Sequence, residues 1–201
     1  GGRIMADPTY IVDGVLTDGE AWVGIATTTL ASDTATVTFT STDDGQVGDF
    51  SQYMDLTIIS YARSAETSTD RQLNMQLNND TASSPGNYNA QNLRGNGSGA
   101  YAGATANAQR FEIGEIPAAS SGANIFGGTV TTLFDINSGK FKSGVSRTAN
   151  DRDGSGFVYL WALTWASQAP ITEIDLFDLY GGDFLTGSSF SLFGVLPRMV
   201  A

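Results

Sequence analysis

A chain of 201 residues with a net charge of −11, no cysteine and no histidine excludes whole classes of chemistry at once. Without Cys there is no disulfide and no thiolate metal site, and without His there is no Ser-His-Asp or Cys-His catalysis and no His-based zinc site. The length suits one all-β domain, which at this size buries roughly 70% of the surface its unfolded chain exposes.

The charge is uneven. Residues 1–55 hold nine acids against Arg3, giving −8, while residues 56–170 balance eight acids with eight bases. Residues 171–201 hold four acids against Arg198, giving −3. Such a balance repels phosphate backbones, so nucleic acid is not an expected partner. No apolar run reaches the ~18–20 residues of a membrane helix, and no membrane partner is expected. No metal, cofactor or catalytic group is expected either. A cysteine-free chain fits assembly in a reducing cytoplasm.

Residues 1–20 mix glycine, proline and acids with isolated apolar side chains, and they follow neither structural period. Tyr10, Ile11, Val12, Val15 and Leu16 are more apolar than a solvated tail needs, and Asp7, Asp13, Asp18 and Glu20 surround them. The expectation is an extended N-terminal arm that orders against a basic groove on a neighbour, with Trp22 as a further docking anchor. Residues 21–201 then form a single domain.

Residues 21–30 and 35–40 are Thr- and Val-rich strand candidates, followed by an Asp/Gly loop over 41–48. Residues 53–63 carry Leu56 and Ile58 on one face and Ile59 and Tyr61 on the other, which suggests a central strand. Residues 71–79 alternate strictly: Leu73, Met75 and Leu77 against Asn74, Gln76 and Asn78. A weak strand is expected over 89–94, a Gly/Ala/Ser loop over 95–105, and a strand over 108–116 that ends at Pro117. Residues 118–123 read as a small-residue linker. Residues 125–137 read as a long strand with a bulge at Gly127-Gly128, and residues 140–148 as a charged outer strand. The aromatic run 156–165 reads as central, and 171–180 and 188–196 close the chain. Roughly ten strands at about 8–12-residue spacing, with no sustained helical period, predict an all-β, jelly-roll-like β-sandwich with that N-terminal arm.

Three groups of residues could carry chemistry, and each has a plainer reading. Asp151-x-Asp153-x-Ser155-Gly156 begins like a calcium loop, but Ala162 stands where the bidentate Glu belongs, and a polar turn is expected instead. Glu112/Glu115 and Glu173/Asp175/Asp178 could in principle host two-carboxylate glycoside hydrolysis; solvent-facing strand carboxylates are the expected reading. Phe157, Tyr159, Trp161 and Trp165 share one strand face, with Val158, Leu160 and Leu163 read as opposite. They would be a sugar-stacking platform if exposed, and are expected as core or subunit interface.

Several segments resemble jelly-roll virion proteins of tailed phages. The residues that carry this are Leu73-x-Met75-x-Leu77-Asn78-Asn79-Asp80, Asn87-Tyr88, Leu93-x-Gly95-Asn96-Gly97 and Phe111-x-Ile113-Gly114-x-Ile116-Pro117. Arg152-Asp153-Gly154-Ser155-Gly156 and Gly187-Ser188-x-Phe190-Ser191-Leu192-Phe193-Gly194-Val195 complete the pattern. The resemblance implies a virion structural protein with no catalytic residues: a capsid decoration (cement) protein, as a homotrimer, bound to the major capsid protein at capsomer junctions. The alternative it implies is a tail or fibre module that binds host-surface glycans.

Overall fold

In the computed structural model, twelve of the described strands are shared between two facing antiparallel sheets. The structure describes residues 11–12, 15–16 and 22–196. Among the described residues, β1 (Ile11–Val12) and β2 (Val15–Leu16) pair with each other. The remaining strands are β3 (Trp22–Thr29), β4 (Thr36–Thr40), β5 (Asp55–Ala62), β6 (Asp70–Leu77), β7 (Tyr88–Gly95) and β8 (Ala100–Ala108). They continue with β9 (Phe111–Pro117), β10 (Gly127–Phe134), β11 (Lys142–Asp151), β12 (Gly156–Trp165), β13 (Glu173–Asp178) and β14 (Ser189–Val195). The large sheet runs β3-β14-β5-β10-β11-β12-β7-β8 and the small sheet β4-β13-β6-β9. Early strands pair with the last two: β3 and β5 flank β14, and β4 and β6 flank β13. This wrapped order is the jelly-roll-like sandwich expected from the strand pattern. Among the described residues the helical content is one 3₁₀ turn, Phe50–Gln52.

The core follows from period-2 alternation. Leu73, Met75 and Leu77 of β6 are fully buried in the same core cluster as Leu56 and Ile58 of the large sheet. β12 lies between β11 and β7, and Tyr159, Trp161, Leu163 and Trp165 all enter the core. The aromatic face is therefore sandwich core, and Leu163 lies on it rather than opposite.

Three local expectations are corrected. Residues 100–108 are a strand, β8, not a loop: their Ala/Gly composition has no apolar alternation because almost every side chain is exposed at the sheet edge. β11 is not an outer strand but lies between β10 and β12. Its Lys142 is 1% exposed, and its ammonium donates to the carbonyls of Ser138 (2.6 Å), Lys140 (2.7 Å) and Gln168 (3.4 Å). A charge that looked like edge protection instead ties down the loop before the strand. Gly127-Gly128 is no bulge: both residues pair in register with β5 and Gly128 also with β11. Gly127 is small because a Cβ there would meet Pro117 Cδ at 2.8 Å. One bulge lies in β9, where Leu73 pairs with Gly114 but Asn74 with Glu112, leaving Ile113 as the extra residue; the β14–β3 and β7–β8 ladders shift register as well. The Asp151–Gly156 segment is the turn of the β11–β12 hairpin, with Asp151 Oδ1 accepting from Gly154 N at 2.8 Å.

Candidate functional site: a cleft beside β9 and an open apolar face

Four strands cannot cover eight. The edge strand β9 packs across β10, β11, β12 and β7, and the edge strand β8 lies beyond it. Two surfaces result, on opposite faces of the large sheet.

The first is a cleft of about 290 Å³ where β9 meets the inner face of the overhang. Its lining includes Gln72 and Asn74 of β6, Ala90 of β7, Thr105 of β8, Glu112 of β9 and Trp161 of β12. Trp161 is 2% exposed, and its indole Nε1 has no hydrogen-bond partner. A buried donor without an acceptor costs free energy and is uncommon in folded proteins. The β9 bulge, next to the cleft, changes the aim of this edge strand's carboxylates.

Burial, with a smaller contribution from the Glu115 charge, pushes the Glu112 carboxyl up to about 7, against the pull of Arg94. Glu115 is raised by burial too, although Tyr159 O–H donates to its Oε1 at 2.8 Å. Its Oε2 is buried without a partner. Arg94 Nη1 donates to the Tyr159 hydroxyl at 3.1 Å, and its guanidinium lies 5.1 Å from the Tyr101 ring centroid and 5.9 Å from that of Tyr159. Glycoside hydrolysis needs an acid and an ionised partner whose environments drive their pKa values apart. Here both carboxyls move up together.

The other carboxylate group borders a separate pocket of about 380 Å³, whose lining includes Asp175 and Asp178. Thr38 Oγ1 donates to Asp175 Oδ1 at 2.6 Å, and Glu173 is bonded by Asn79 and Thr40. Asp178 lies on the opposite face of β13, buried, with Arg71 at 3.1 Å and Ser64 Oγ at 2.9 Å. These residues hold the small sheet together.

The second surface is the outer face of the large sheet. Paired residues line up across adjacent strands as Ile59, Val130, Arg147, Leu160, Leu93 and Ala102. The next row holds Tyr61, Gly128, Ala149 and Val158. Val158 is 65% and Leu160 47% exposed, and a shallow depression of about 1030 Å³ lies over them. Trp22 lies on the same outer face, 51% exposed, its ring 6.2 Å from that of Phe193.

Of the residues expected to anchor the protein, Trp22 is thus placed on an open apolar surface. Ile11 pairs with Leu16 and Val12 with Val15 in the β1–β2 ladder. Their side chains, and Tyr10 altogether, lie outside the described residues. Sequence reasoning missed Leu93, Val130, Val158 and Leu160 as a surface. The available signal was the second apolar face of residues 53–63 and 156–165, there assigned to burial.

No protein-family model and no curated protein matches the chain. Among solved structures it is similar to a CBM40 of the Ruminococcus gnavus IT-sialidase bound to α2,6-sialyllactose, at 9% identity and TM-score 0.30 over 88% of this chain and 95% of that one. It is also similar to a leech intramolecular trans-sialidase complexed with 2,7-anhydro-Neu5Ac, at 13% identity and TM-score 0.31. That match covers 87% of this chain and 26% of the leech chain.

Proposed function

We propose that this chain is a structural protein of a tailed-phage virion: a capsid decoration (cement) protein that assembles as a homotrimer and binds the major capsid protein at capsomer junctions. The observation that carries the reading is the uncovered apolar face of the large sheet. Contiguous apolar patches of this kind on a folded chain mark interaction surfaces. The two rows above contain one charged residue, Arg147, in a chain whose overall charge is −11. Each partly exposed Val or Leu there gains stability only when another surface covers it. Closed symmetric oligomers repeat one such contact, and several copies acting together turn weak attachment into lasting decoration.

The test is the mass of the purified protein in solution, followed by its location on intact particles by labelled antibody. A trimer that labels the shell supports the reading; a monomer that labels neither shell nor tail overturns it. A second reading, a tail or fibre module that binds host-surface glycans, draws on the cleft beside β9. Label along the tail with none on the shell favours it over the first.

A further inference from the structure

We propose that the pocket on the outer face of the small sheet takes the ammonium group of a lysine side chain presented by a partner protein, with Asp175 as its counter-charge. This deepens the virion reading above and rests on it for the choice of partner, a shell protein.

Asp175 is the residue that lacks its complement. It stands on β13, an inner strand of the small sheet, paired with Thr38 of β4 and Gln76 of β6, and is 8% exposed. Carboxylates covered to this degree are ordinarily matched by a cation. None of the three ion pairs among the described residues involves it. Its Oδ1 accepts from Thr38 Oγ1 at 2.6 Å. Its Oδ2 has no donor among the described residues and, unlike Glu115 Oε2, is not sealed from solvent. Asp175 lines a pocket of about 380 Å³, which gives that oxygen room for a ligand.

The surroundings select a cationic donor. Gln76 and Asn79 line the same pocket, and each donates its amide N–H to a protein oxygen, Gln76 to Gln109 O and Asn79 to Glu173 Oε1. Their carbonyl oxygens remain as acceptors. Asp178 is already matched by Arg71 at 3.1 Å. No Lys or Arg lines the pocket, in a chain of net charge −11, so an anion is repelled there. A neutral polyol leaves the Asp175 charge unmatched. One accessible carboxylate gives too few oxygen ligands for calcium, and no group of three metal-ligating side chains exists among the described residues. Phe177, two residues along the strand and about 7 Å away, is half-buried in the same lining. Its ring suits both the methylene stem and the charge of a lysine. Lysine rather than arginine follows from Thr38: a guanidinium prefers both oxygens of a carboxylate, and one is engaged here. The pocket and the apolar rows lie on opposite outer faces of the sandwich, so both can be occupied together.

The experiment titrates the full chain with Nα-acetyl-lysine amide, Nα-acetyl-arginine amide, glucose and calcium chloride, followed by backbone amide NMR. The lysine probe should move the resonances of Gln76, Asp175 and Phe177 and bind more tightly than the arginine probe. Asp175→Asn should weaken it at least ~tenfold, the effect of losing a charged hydrogen bond. Phe177→Ala should weaken it about two- to fivefold, and keeps the test available where Asp175→Asn fails to fold. Tighter binding of glucose or calcium overturns the ligand class, and no shift with any probe overturns the site. A second arm measures decoration of particles lacking the protein, untreated or with their lysines acetylated. Asp175→Asn should decorate untreated particles more weakly than wild type and acetylated particles equally. Equal decoration of untreated particles by both chains overturns the docking role. A chain that binds no amine yet labels the shell overturns the pocket and leaves the virion reading standing. A chain that binds the amine and labels no particle overturns the virion reading and leaves the ammonium site.

Discussion

Trp165 donates its indole Nε1 to Asp80 Oδ2 at 2.7 Å, while Trp161, four residues earlier on the same face of β12, has no acceptor. Asp80 also accepts from Asn87 Nδ2 at 2.8 Å and from Ala82 N at 3.1 Å. Burial alone would raise its carboxyl; the bonds from Asn87, Trp165 and Ala82 outweigh that and hold it below the ordinary value. Asp80 thus fastens the β6–β7 connection to the end of β12. Asp80→Ala should leave the buried Trp165 N–H unpaired and cost about 1–3 kcal/mol, read as a lower denaturant midpoint. Asp80→Asn keeps an acceptor and should lose less.

The stretch from Arg71 to Tyr88 illustrates what a sequence can and cannot disclose. Its alternation identified β6, because which residues face inward is a local property of a strand. The tasks of its polar residues were hidden. Asn78 Oδ1 accepts from Thr172 N and Glu173 N, and Tyr88 O–H bridges Leu77 N and Leu77 O. Asn78 and Asp80 find partners about ninety residues away, a separation no local pattern encodes. β8 and β11 failed for a related reason. An edge strand of alanines and glycines has no apolar signal, and the burial of Lys142 depends on carbonyls brought by Ser138 and Gln168. The cleft was legible only as its parts: Glu112 and Trp161 were each noticed, and the overhang that joins them is a property of sheet widths.

Gly114 offers a sharp test of how β9 is seated. A Cβ at this position would overlap Thr148 Oγ1, and Thr148 itself donates to Ile113 O at 3.1 Å beside the Ser146 bond of 2.6 Å. Gly114→Ala should therefore push the edge strand off β11 and cost at least about 1–3 kcal/mol, measured by thermal or denaturant unfolding. Gly139→Ala, with open space at its Cβ, is the control and should change stability little.

The raised carboxyl of Glu112 sets a pH dependence of definite sign. Its value moves from 4.5 to about 7 on folding. Between those limits the folded chain keeps a proton that the unfolded chain has released, so stability falls as pH rises through the window. Glu115 is raised as well and adds to the same slope. Asp33, Asp44, Asp49 and Asp80 are lowered from 3.8 and act in the opposite direction at lower pH, losing their stabilisation as they are protonated. Glu112→Gln should flatten the profile between pH 4.5 and about 7 and leave the acid limb intact, as read from unfolding curves across that range.

The two expected routes of attachment, the outer sheet face and the arm, can be separated by one pair of variants. Leu160 and Val158 project from the same side of β12, with Leu93 paired beside Leu160. Both side chains are largely exposed, so Leu160→Asp combined with Val158→Asp should leave the fold intact, as a circular dichroism spectrum unchanged from wild type would report. In an assembly the same change buries two charges in an apolar contact and forfeits ~1.5–3 kcal/mol for each covered side chain. If the face joins copies of this chain, light scattering should report loss of the oligomer at concentrations where the wild type holds together. Deletion of residues 1–20 tests the arm with the face untouched, and the expected result is an intact oligomer that decorates particles more weakly. Trp22 remains in the truncated chain, so its contribution is read apart by Trp22→Ala. An oligomer that survives both aspartates would reject the outer face as the assembly surface. Full decoration by the truncated chain would reject the arm.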